Sequence, residues 1–238
     1  MGAALWATSA RDKRSKDRIA SRGPIESPEA AEAYAKVAAL PPYRMLTNWL
    51  ASRALWGVKG GRALDIGCGN GWLALELARR RPDMEVVGMD ASDAMVAQAF
   101  RNAWDSEARE RVSFQRGNGE LIPFPSSSFD LVVSTLSLHH FGDLPQVLSE
   151  IARVIKPVGR FMLMDLRRDM GVVPWLCLWA TTRFLAPKAL KEVGEPLTSR
   201  DASYTPSEVT AIAWRSPLPP WRVASGPFWL CLENMESP

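Results

Sequence analysis

The sequence predicts an α/β fold in which a parallel sheet carries helices on both faces. Short apolar segments alternate with helical patterns between residues 62 and 165, as they do in parallel sheets. These segments are apolar throughout rather than alternating, which is typical of strands covered on both faces. The chain has 238 residues, of which 47% are hydrophobic and 23% charged, enough for one domain with a substantial core.

Two helices are predicted ahead of the sheet. Residues 29–40 are rich in Ala and Glu, which favour a helix, and this pattern ends at the two prolines that follow. A second helix is expected at about 43–56, ending at Gly57. Leu46, Trp49 and Leu50 lie on or near one face of it, so it should pack against the domain.

The segment before these helices is predicted to be a basic flexible tail at residues 1–27, because it is polar and Gly23-Pro24 breaks regular structure. Its first 22 residues contain six basic and two acidic side chains, a net charge of +4, which leaves −1 for the remainder of a chain with +3 in total. We expect a solvated tail and one domain at 28–238. Weak contact with an anionic membrane surface is the alternative for the tail.

Seven strands follow from the apolar segments. We predict strands at 62–66, 85–89, 112–115, 130–134, 160–165, 221–224 and 228–232, and helices between them at 72–80, 93–104 and 145–155. After Asp165 the alternation stops, and residues 171–200 are rich in Trp and helical in character. Another helix is expected at 207–214. The result is a mostly parallel seven-stranded sheet with a helical insertion after its fifth strand.

Composition argues against several classes of protein. The most apolar run, residues 171–182, is 12 residues long and contains Pro174, whereas a membrane span needs about 18. No apolar stretch precedes the first charges, so we expect no secretion signal. The cysteines Cys68, Cys177 and Cys231 are scattered, which predicts neither a metal site nor a disulfide and favours the cytoplasm. Because Lys and Arg form no stripe along the domain, no nucleic-acid partner is expected.

The first strand of the sheet runs into a glycine-rich loop, LDIGCGNG at residues 64–71. Glycines at alternate positions permit a tight turn and let a ligand touch the backbone. A dinucleotide-binding loop would have its third glycine at the position of Trp72. Asp65 would repel a pyrophosphate but would suit a ligand that carries an ammonium or a sulfonium group.

Two further segments are expected to contribute to the same ligand site as this loop. Asp90 ends the second predicted strand, 19 residues after Gly71, where a carboxylate can accept both hydroxyls of a ribose. The alternative for Asp90 is a helix cap for the segment that begins near Ser92. Asn118-Gly119, followed by an apolar turn stiffened by proline, offers a side-chain acceptor and a backbone N–H to an adenine edge.

Taken in order, these motifs resemble those of the class I S-adenosylmethionine-dependent methyltransferases. LDIGCGNG resembles the first motif of that family, MDASDAM at 89–95 its ribose motif, and GNGELIPFP with FDLVVS, within 117–134, its adenine and fourth-strand motifs. The resemblance is strong over 60–166 and loose over 204–232. It is nearest to the small-molecule branch, which includes quinone-biosynthesis C-methyltransferases and natural-product O-methyltransferases.

The resemblance implies a Rossmann-like fold with an N-terminal helical cap at 28–56 and a substrate lid at 171–203. It implies S-adenosylmethionine as cofactor, with Asp65 near its ammonium, Asp90 on the ribose and the Gly119 N–H at the adenine. Asn118 stands where the family usually has Asp, and Tyr34 or Tyr43 should lie near the sulfonium. The full set expected to bind or face the cofactor is Asp65, Gly67, Cys68, Gly69, Asp90, Ala91, Asn118, Gly119 and Ser134.

Catalytic residues are expected around the two histidines of the chain, His139 and His140, which follow the fourth strand. In the family that the sequence resembles, this loop borders the reacting methyl group, and several members use a histidine there as general base. Asp165 matches the position of a supporting carboxylate. We predict His140 as the base, oriented by Asp165, with His139 pointing away; the alternative is that the pair only shapes its loop.

The expected function is methyl transfer to a small, apolar or aromatic molecule, without a metal, and the O-, C-, N- and S-acceptors all remain open. Trp175 and Trp179 lie one helical turn apart and would either pack on the sheet or offer flat walls to such a substrate. Two alternatives differ in function. One is methylation of a membrane-associated quinone or lipid, and the other is a protein that binds the cofactor without catalysis.

Overall fold

A mixed sheet of seven strands forms the centre of the protein. The structure, a computed structural model, describes residues 18–19, 23, 25–185, 187–188 and 197–235. The strands are β1 (Gly61–Ile66), β2 (Met84–Asp90), β3 (Val112–Arg116), β4 (Phe129–Thr135), β5 (Ile155–Leu166), β6 (Trp221–Ser225) and β7 (Trp229–Asn234), in the sheet order β3-β2-β1-β4-β5-β7-β6.

The first five strands run parallel to one another, and β7 is antiparallel to both β5 and β6. The predicted fold class is therefore confirmed, and one strand boundary differs by more than two residues. β5 begins at Ile155, directly after a helix, whereas the sequence predicted a start at residue 160. The register between β4 and β5 shifts there, and this irregularity accommodates Pro157, which has no N–H to donate.

Helices cover both faces of the sheet. They are α1 (Pro28–Ala38), α2 (Pro41–Ala54), α3 (Trp72–Arg80), α4 (Asp93–Ala103), α5 (Leu144–Val154), α6 (Val172–Leu185), α7 (Leu197–Ala202) and α8 (Pro206–Ala213). Several begin at a side-chain cap that accepts a backbone N–H of the first turn, as Ser27 does for α1 and Ser92 for α4. Thr205 and Glu208 form a reciprocal capping box at α8.

Successive residues of the central strands feed two separate cores. Val132 packs with α5 and α8 on one face, and its neighbours Leu131 and Val133 pack with α2, α3 and α4 on the other. This follows from the two-residue period of a strand, which turns alternate side chains to opposite faces. Because both faces are covered, the strands are apolar throughout, as the sequence indicated.

A buried carboxylate connects the N-terminal helices to the last strands. Glu233 of β7 is fully buried and pairs with Arg53 of α2 at 2.6 Å, with Arg222 of β6 at 2.9 Å and with Arg160 of β5 at 3.4 Å. Several cations compensate the desolvation of this single charge, which an isolated buried carboxylate could not tolerate.

Part of the predicted tail is bonded to the domain. Arg18 donates hydrogen bonds to the carbonyls of Ala202 and His139, and the Ile19 N–H donates to the carbonyl of Asp201. For these two residues the expected solvation is wrong, because the guanidinium finds backbone acceptors at the end of α7 and in the loop after β4. Residues 1–17 of the predicted tail lie outside the described residues.

In the part of the chain that the structure describes, no helix has both the length and the apolar character that crossing a membrane requires.

Candidate active site

A cavity of about 510 Å³ lies at the carboxyl ends of β1, β2 and β4, where ligands bind in open α/β sheets. Its wall contains most of the residues that the sequence predicted for the site: Gly67, Cys68, Gly69, Asp90, Ala91, Asn118, Gly119, His139 and His140. Asp65, Ser134 and Asp165 are buried next to wall residues rather than in the wall.

The glycine loop, residues 67–71, has a backbone that only glycine adopts easily. Gly67 and Gly69 have φ values of 69° and 51°, in the left-handed region. A Cβ on Gly67 would lie 2.4 Å from the Ser137 hydroxyl oxygen, so this position admits no side chain. At Gly69 no atom lies within 4 Å of the Cβ position, so a ligand can approach the backbone there.

Asp90 holds the glycine loop in place. One of its carboxylate oxygens accepts the Gly69 N–H at 2.8 Å and the other accepts the Ser92 N–H at 2.9 Å. Each oxygen has two lone pairs, so both retain capacity to accept a ligand hydroxyl. The helix cap that the sequence left open for Asp90 is provided by Ser92, whose hydroxyl accepts the Met95 N–H.

Asp65 is a buried carboxylate, and neither of its oxygens has a hydrogen-bond partner among the described residues. Burial, together with the nearby charge of Asp90, raises the pKa of Asp65 to about 7. The same two carboxylates, after burial itself, raise the pKa of the Cys68 thiol. A cationic ligand next to Asp65 would stabilise its charged form.

The segment after β3 forms another part of the wall. Gly119 is packed so closely that a Cβ would lie 3.1 Å from the Phe141 ring and 3.2 Å from Ile66. The side-chain oxygen of Asn118 accepts the Glu120 N–H at 3.0 Å, which fixes its orientation and leaves one lone pair. Sequence reasoning missed Phe141 and Ile66 as wall residues, although an aromatic residue directly after the histidines was a usable signal.

Ser134 does not have the expected position at the reacting end of the site. It is fully buried, and the wall at the end of β4 is formed by Thr135, Leu136 and Ser137. The physical reason is the alternation of side chains along a strand, which turns Ser134 away from the side that Thr135 occupies. Leu136 has a φ of 56°, a strained conformation for this residue and one that often occurs at functional sites.

The histidine turn, residues 138–140, is a single turn of 3₁₀ helix that places His139 against Asp165. The Asp165 carboxylate accepts both the His139 backbone N–H, at 2.9 Å, and the ring Nδ1–H, at 2.8 Å. Both side chains are almost fully buried. The predicted pairing of Asp165 with His140 is therefore wrong, because the tight turn points His139 towards β5.

His140 lines the cavity beside this pair. Its ring centroid lies 4.0 Å from that of His139, and the two planes are tilted by 45°. Burial, and then the neighbouring His139, lower the pKa of His140 to about 4, while Asp165 acts in the opposite direction. His140 is thus neutral over the physiological pH range.

Helices supply the apolar remainder of the wall. Tyr34 of α1 and Tyr43 of α2 both line the cavity, as do the α2 residues Leu46 and Leu50. From the helical insertion, Leu178 of α6 and Ser199 of α7 reach the cavity. Residues 189–196 of the predicted lid lie outside the described residues.

The two tryptophans of α6 do not form the flat walls that the sequence allowed. Leu178 is the wall residue of this helix, while Trp179 is half-exposed and contacts Phe184 with 6.1 Å between ring centroids. Among the described residues, no group of His, Cys, Asp and Glu has an arrangement that would hold a metal ion.

Part of the chain matches a known protein family. Residues 64–163 match the methyltransferase domain family. The chain is similar to the 27-O-demethylrifamycin SV methyltransferase of Amycolatopsis mediterranei, with 40% identity over 106 residues, 44% of this chain and 39% of that protein. It is also similar to the ubiquinone/menaquinone biosynthesis C-methyltransferase of Geobacter sulfurreducens, with 38% identity over 108 residues, 45% of this chain and 42% of that protein.

The chain thus spans less than half the length of these curated relatives. In fold it is similar to a solved S-adenosylmethionine-dependent methyltransferase from Aquifex aeolicus, with a TM-score of 0.60 and 18% identity over 87% of this chain and 97% of that one. The motifs, the sheet order and the cavity agree with this likeness. Residues 64–163 match a methyltransferase domain, and the fold of the chain is that of the class I S-adenosylmethionine-dependent methyltransferases.

Proposed function

We propose that this chain transfers a methyl group from S-adenosylmethionine to a small apolar or aromatic molecule. The observation that carries the proposal is that one cavity borders the glycine loop and Asp90 as well as the buried His139–Asp165 pair. Most of its helical wall is apolar. The cofactor, when bound, supplies a methyl group on a positively charged sulfur, which is already activated for displacement by a nucleophile.

The residues around the glycine loop fit this cofactor chemically. Asp65 is a buried carboxylate that accepts no hydrogen bond from the described residues, so a cationic amino group would compensate its charge. Asp90 is fixed by two backbone N–H groups and keeps acceptor capacity for ribose hydroxyls. Gly69 leaves its backbone accessible. These features support cofactor roles for the three residues.

The structure favours His139 as the candidate base in place of His140. A base is needed only when the acceptor carries a proton at neutral pH, as an alcohol or a phenol does. Asp165 accepts the Nδ1–H of His139, which fixes the tautomer and makes Nε2 the ring atom with a lone pair. His140 then contributes a neutral wall, and the surrounding apolar side chains exclude water.

Cofactor binding can be tested without a substrate, by calorimetric titration with S-adenosylhomocysteine. We expect Asp90→Ala to weaken binding by about 1.5–3 kcal/mol, because hydrogen bonds to a charged group are lost. Asp93→Ala is the matched control, since Asp93 is exposed and pairs with Arg116 on the surface. Equal affinities in the two variants would remove the ribose role of Asp90.

Turnover can be tested by incubating the protein with methyl-labelled cofactor and a metabolite extract. For a hydroxyl acceptor, His139→Gln should lower the rate of labelling by about 10²–10⁴-fold with unchanged cofactor affinity, and His140→Gln should lower it less. If the activity of His139→Gln stays within threefold of wild type, His139 is not a base and the reaction is accelerated by positioning of the substrate alone. Cofactor binding without any labelled product would favour the non-catalytic alternative.

A membrane-associated quinone or lipid is a second candidate substrate, and α6 is the observation that favours it. This helix is apolar on all sides, yet Val172, Val173 and Phe184 are 73%, 71% and 69% exposed. Exposed apolar surface of this kind marks contact with another apolar phase. Neither α2 nor α6 contains an acidic residue, which suits an anionic lipid surface. By its name, the Geobacter relative acts in quinone biosynthesis.

Flotation with anionic and with zwitterionic vesicles tests this second candidate. We expect wild type to float with anionic vesicles and Val173→Glu to lose most of that binding. The control is Val158→Glu, a still more exposed apolar position at the irregular start of β5. Absence of wild-type flotation, or equal flotation of the two variants, would reject the lipid surface.

The free thiols of Cys68, Cys177 and Cys231 support a reducing compartment such as the cytoplasm for either reaction.

A further inference from the structure

Arg18 connects the N-terminal segment to two parts of the candidate site. Its Nε donates to the carbonyl of Ala202 at 2.7 Å, and a terminal nitrogen donates to the carbonyl of His139 at 3.1 Å. The guanidinium carbon lies 4.3 Å from the centroid of the Tyr204 ring. One side chain thus contacts the histidine turn, the end of α7 and the segment before α8.

These three contacts match the chemistry of arginine. A planar guanidinium can donate in two directions while its face stacks on an aromatic ring, and a lysine ammonium cannot do both. Ala202 is the last residue of α7, where carbonyls lack partners inside the helix. The backbone of the next residue, Ile19, adds a hydrogen bond to the carbonyl of Asp201 at 3.2 Å. The segment is therefore held at two adjacent residues.

Asp165 does not contact the carbonyl of His139. Asp165 of β5 accepts the backbone N–H and the ring Nδ1–H of His139, and Arg18 donates to its carbonyl. Because the turn has only three residues, a shift of this carbonyl also moves His140 in the cavity wall.

We infer that Arg18 is a positioning residue, which fixes the histidine turn against α7 and so sets the place of both histidines in the cavity. The effect of Arg18 on catalysis rests on the proposed methyl transfer, whereas its hydrogen bonds are observed independently of that proposal. In turnover we expect Arg18→Ala to lower kcat about tenfold and to leave the affinity for S-adenosylhomocysteine within about twofold, because Arg18 acts through the histidine turn.

The test that does not need turnover is a histidine NMR titration of the untagged, full-length, ligand-free protein. The chain contains two histidines, so two sets of imidazole C–H signals report on the turn alone. Burial contributes most to the lowered pKa of His140, followed by the charge of His139 in the same turn, while Asp165 of β5 acts in the opposite direction. In Arg18→Ala we expect the titration midpoint of His140 to rise by about one unit or more towards 6.5, because water reaches the turn.

Two further variants separate position from charge. Arg14→Ala removes one positive charge from the same basic segment and should titrate like wild type. Arg18→Lys keeps the charge but cannot reproduce the two hydrogen bonds with stacking, so we expect it to shift the His140 midpoint in the same direction as Arg18→Ala. If Arg18→Ala does not fold, the histidine titration of Arg18→Lys is compared with that of wild type instead.

The outcomes are distinct. Histidine titrations of Arg18→Ala that coincide with those of wild type and Arg14→Ala would overturn the inference. Coincidence of Arg18→Lys with wild type, alongside a shifted Arg18→Ala, would also overturn it, since the charge alone would then be responsible. Failure of wild type to bind S-adenosylhomocysteine would instead overturn the proposed function, and the NMR result would stand apart from it.

Discussion

Asp65 is the residue at which binding and stability are opposed. It is buried, it accepts no hydrogen bond from the described residues, and its pKa is raised to about 7. In the unfolded chain an aspartate titrates near 3.9. Between these two values the folded state binds more protons than the unfolded state, so this group loses its stabilising contribution as the pH rises through about 7.

Asp65→Asn should therefore stabilise the ligand-free protein at alkaline pH. We expect a gain of about 1–3 kcal/mol in the free energy of unfolding at pH 8, where the carboxylate would be charged, and a smaller gain at pH 5. The gain is below the full charge penalty because a buried amide also lacks partners. Urea unfolding at both pH values measures it, and equal effects at pH 5 and pH 8 would contradict the account.

Asp65 should also make cofactor affinity depend on pH. A cationic amino group favours the charged carboxylate, so binding releases a proton wherever Asp65 is protonated beforehand. We expect the affinity for S-adenosylhomocysteine to rise by up to about tenfold per pH unit below pH 7 and to level off above it. Calorimetry in buffers of different ionisation enthalpy detects the proton, and a dependence that persists in Asp65→Asn would exclude this residue as its source.

The sequence predicted where the site residues lie better than it predicted which way their side chains point. Gly67, Gly69 and Asp90 line the cavity as expected, because the end of a strand and a glycine turn fix where they lie. The orientation of two adjacent histidines was not predictable. Successive side chains of a 3₁₀ turn differ by about 120°, so the direction of each depends on how the turn docks.

Among the helices and strands, those with a strong pattern were predicted closely. α3 has the same bounds in prediction and structure, because its apolar face is clear and an arginine pair and Pro82 mark its end. β5 starts five residues early, since residues 156–159 contain a proline and a glycine that ordinarily end a strand. In the structure the shifted register between β4 and β5 keeps residues 156–159 within β5. This register depends on contacts with β4, which the local sequence does not encode.

α6 shows why the insertion was harder to predict. A helix that is apolar all round has no preferred face, so the pattern cannot say which side meets the domain. The spacing of Trp175 and Trp179 suggested a shared wall, yet Leu178 reaches the cavity. Tertiary packing decides the rotation of such a helix.

The interaction between α2 and the last strands depends on Glu233. Glu233→Ala should lower the free energy of unfolding by about 3–5 kcal/mol, because the partly buried Arg53 and Arg160 would lose the fully buried carboxylate that compensates their charge. Urea unfolding measures the loss. Glu76→Ala is a suitable control, since Glu76 is not fully buried and its partner Arg79 is exposed, and the expected loss is below about 1 kcal/mol. Similar losses in the two variants would argue against a special role for the buried charge.

On the scale of the whole molecule, residues far apart in the chain meet around one cavity. Arg18 contacts the histidine turn, Ile25 accepts a hydrogen bond from Ser92 beside Asp90, and α2 is paired with β7. The methyltransferase domain match at 64–163 includes none of these three N-terminal parts. We therefore expect deletion of residues 1–60, which keeps all seven strands, to weaken S-adenosylhomocysteine binding by tenfold or more in calorimetry, and an affinity equal to that of the full chain would refute this dependence.

The position of β7 also has a consequence for synthesis of the chain. β7 lies between β5 and β6, so β5 has an unpaired edge until residues 229–234 have left the ribosome. That edge exposes the backbone of Met162, Leu163 and Met164, and unpaired apolar strands readily pair with other chains. Because β6 joins the sheet only through β7, the two strands are expected to form a hairpin first and to dock as a unit. The period of greatest aggregation risk is thus the interval in which residues 155–166 have emerged and residues 229–234 have not, when the sheet is still incomplete.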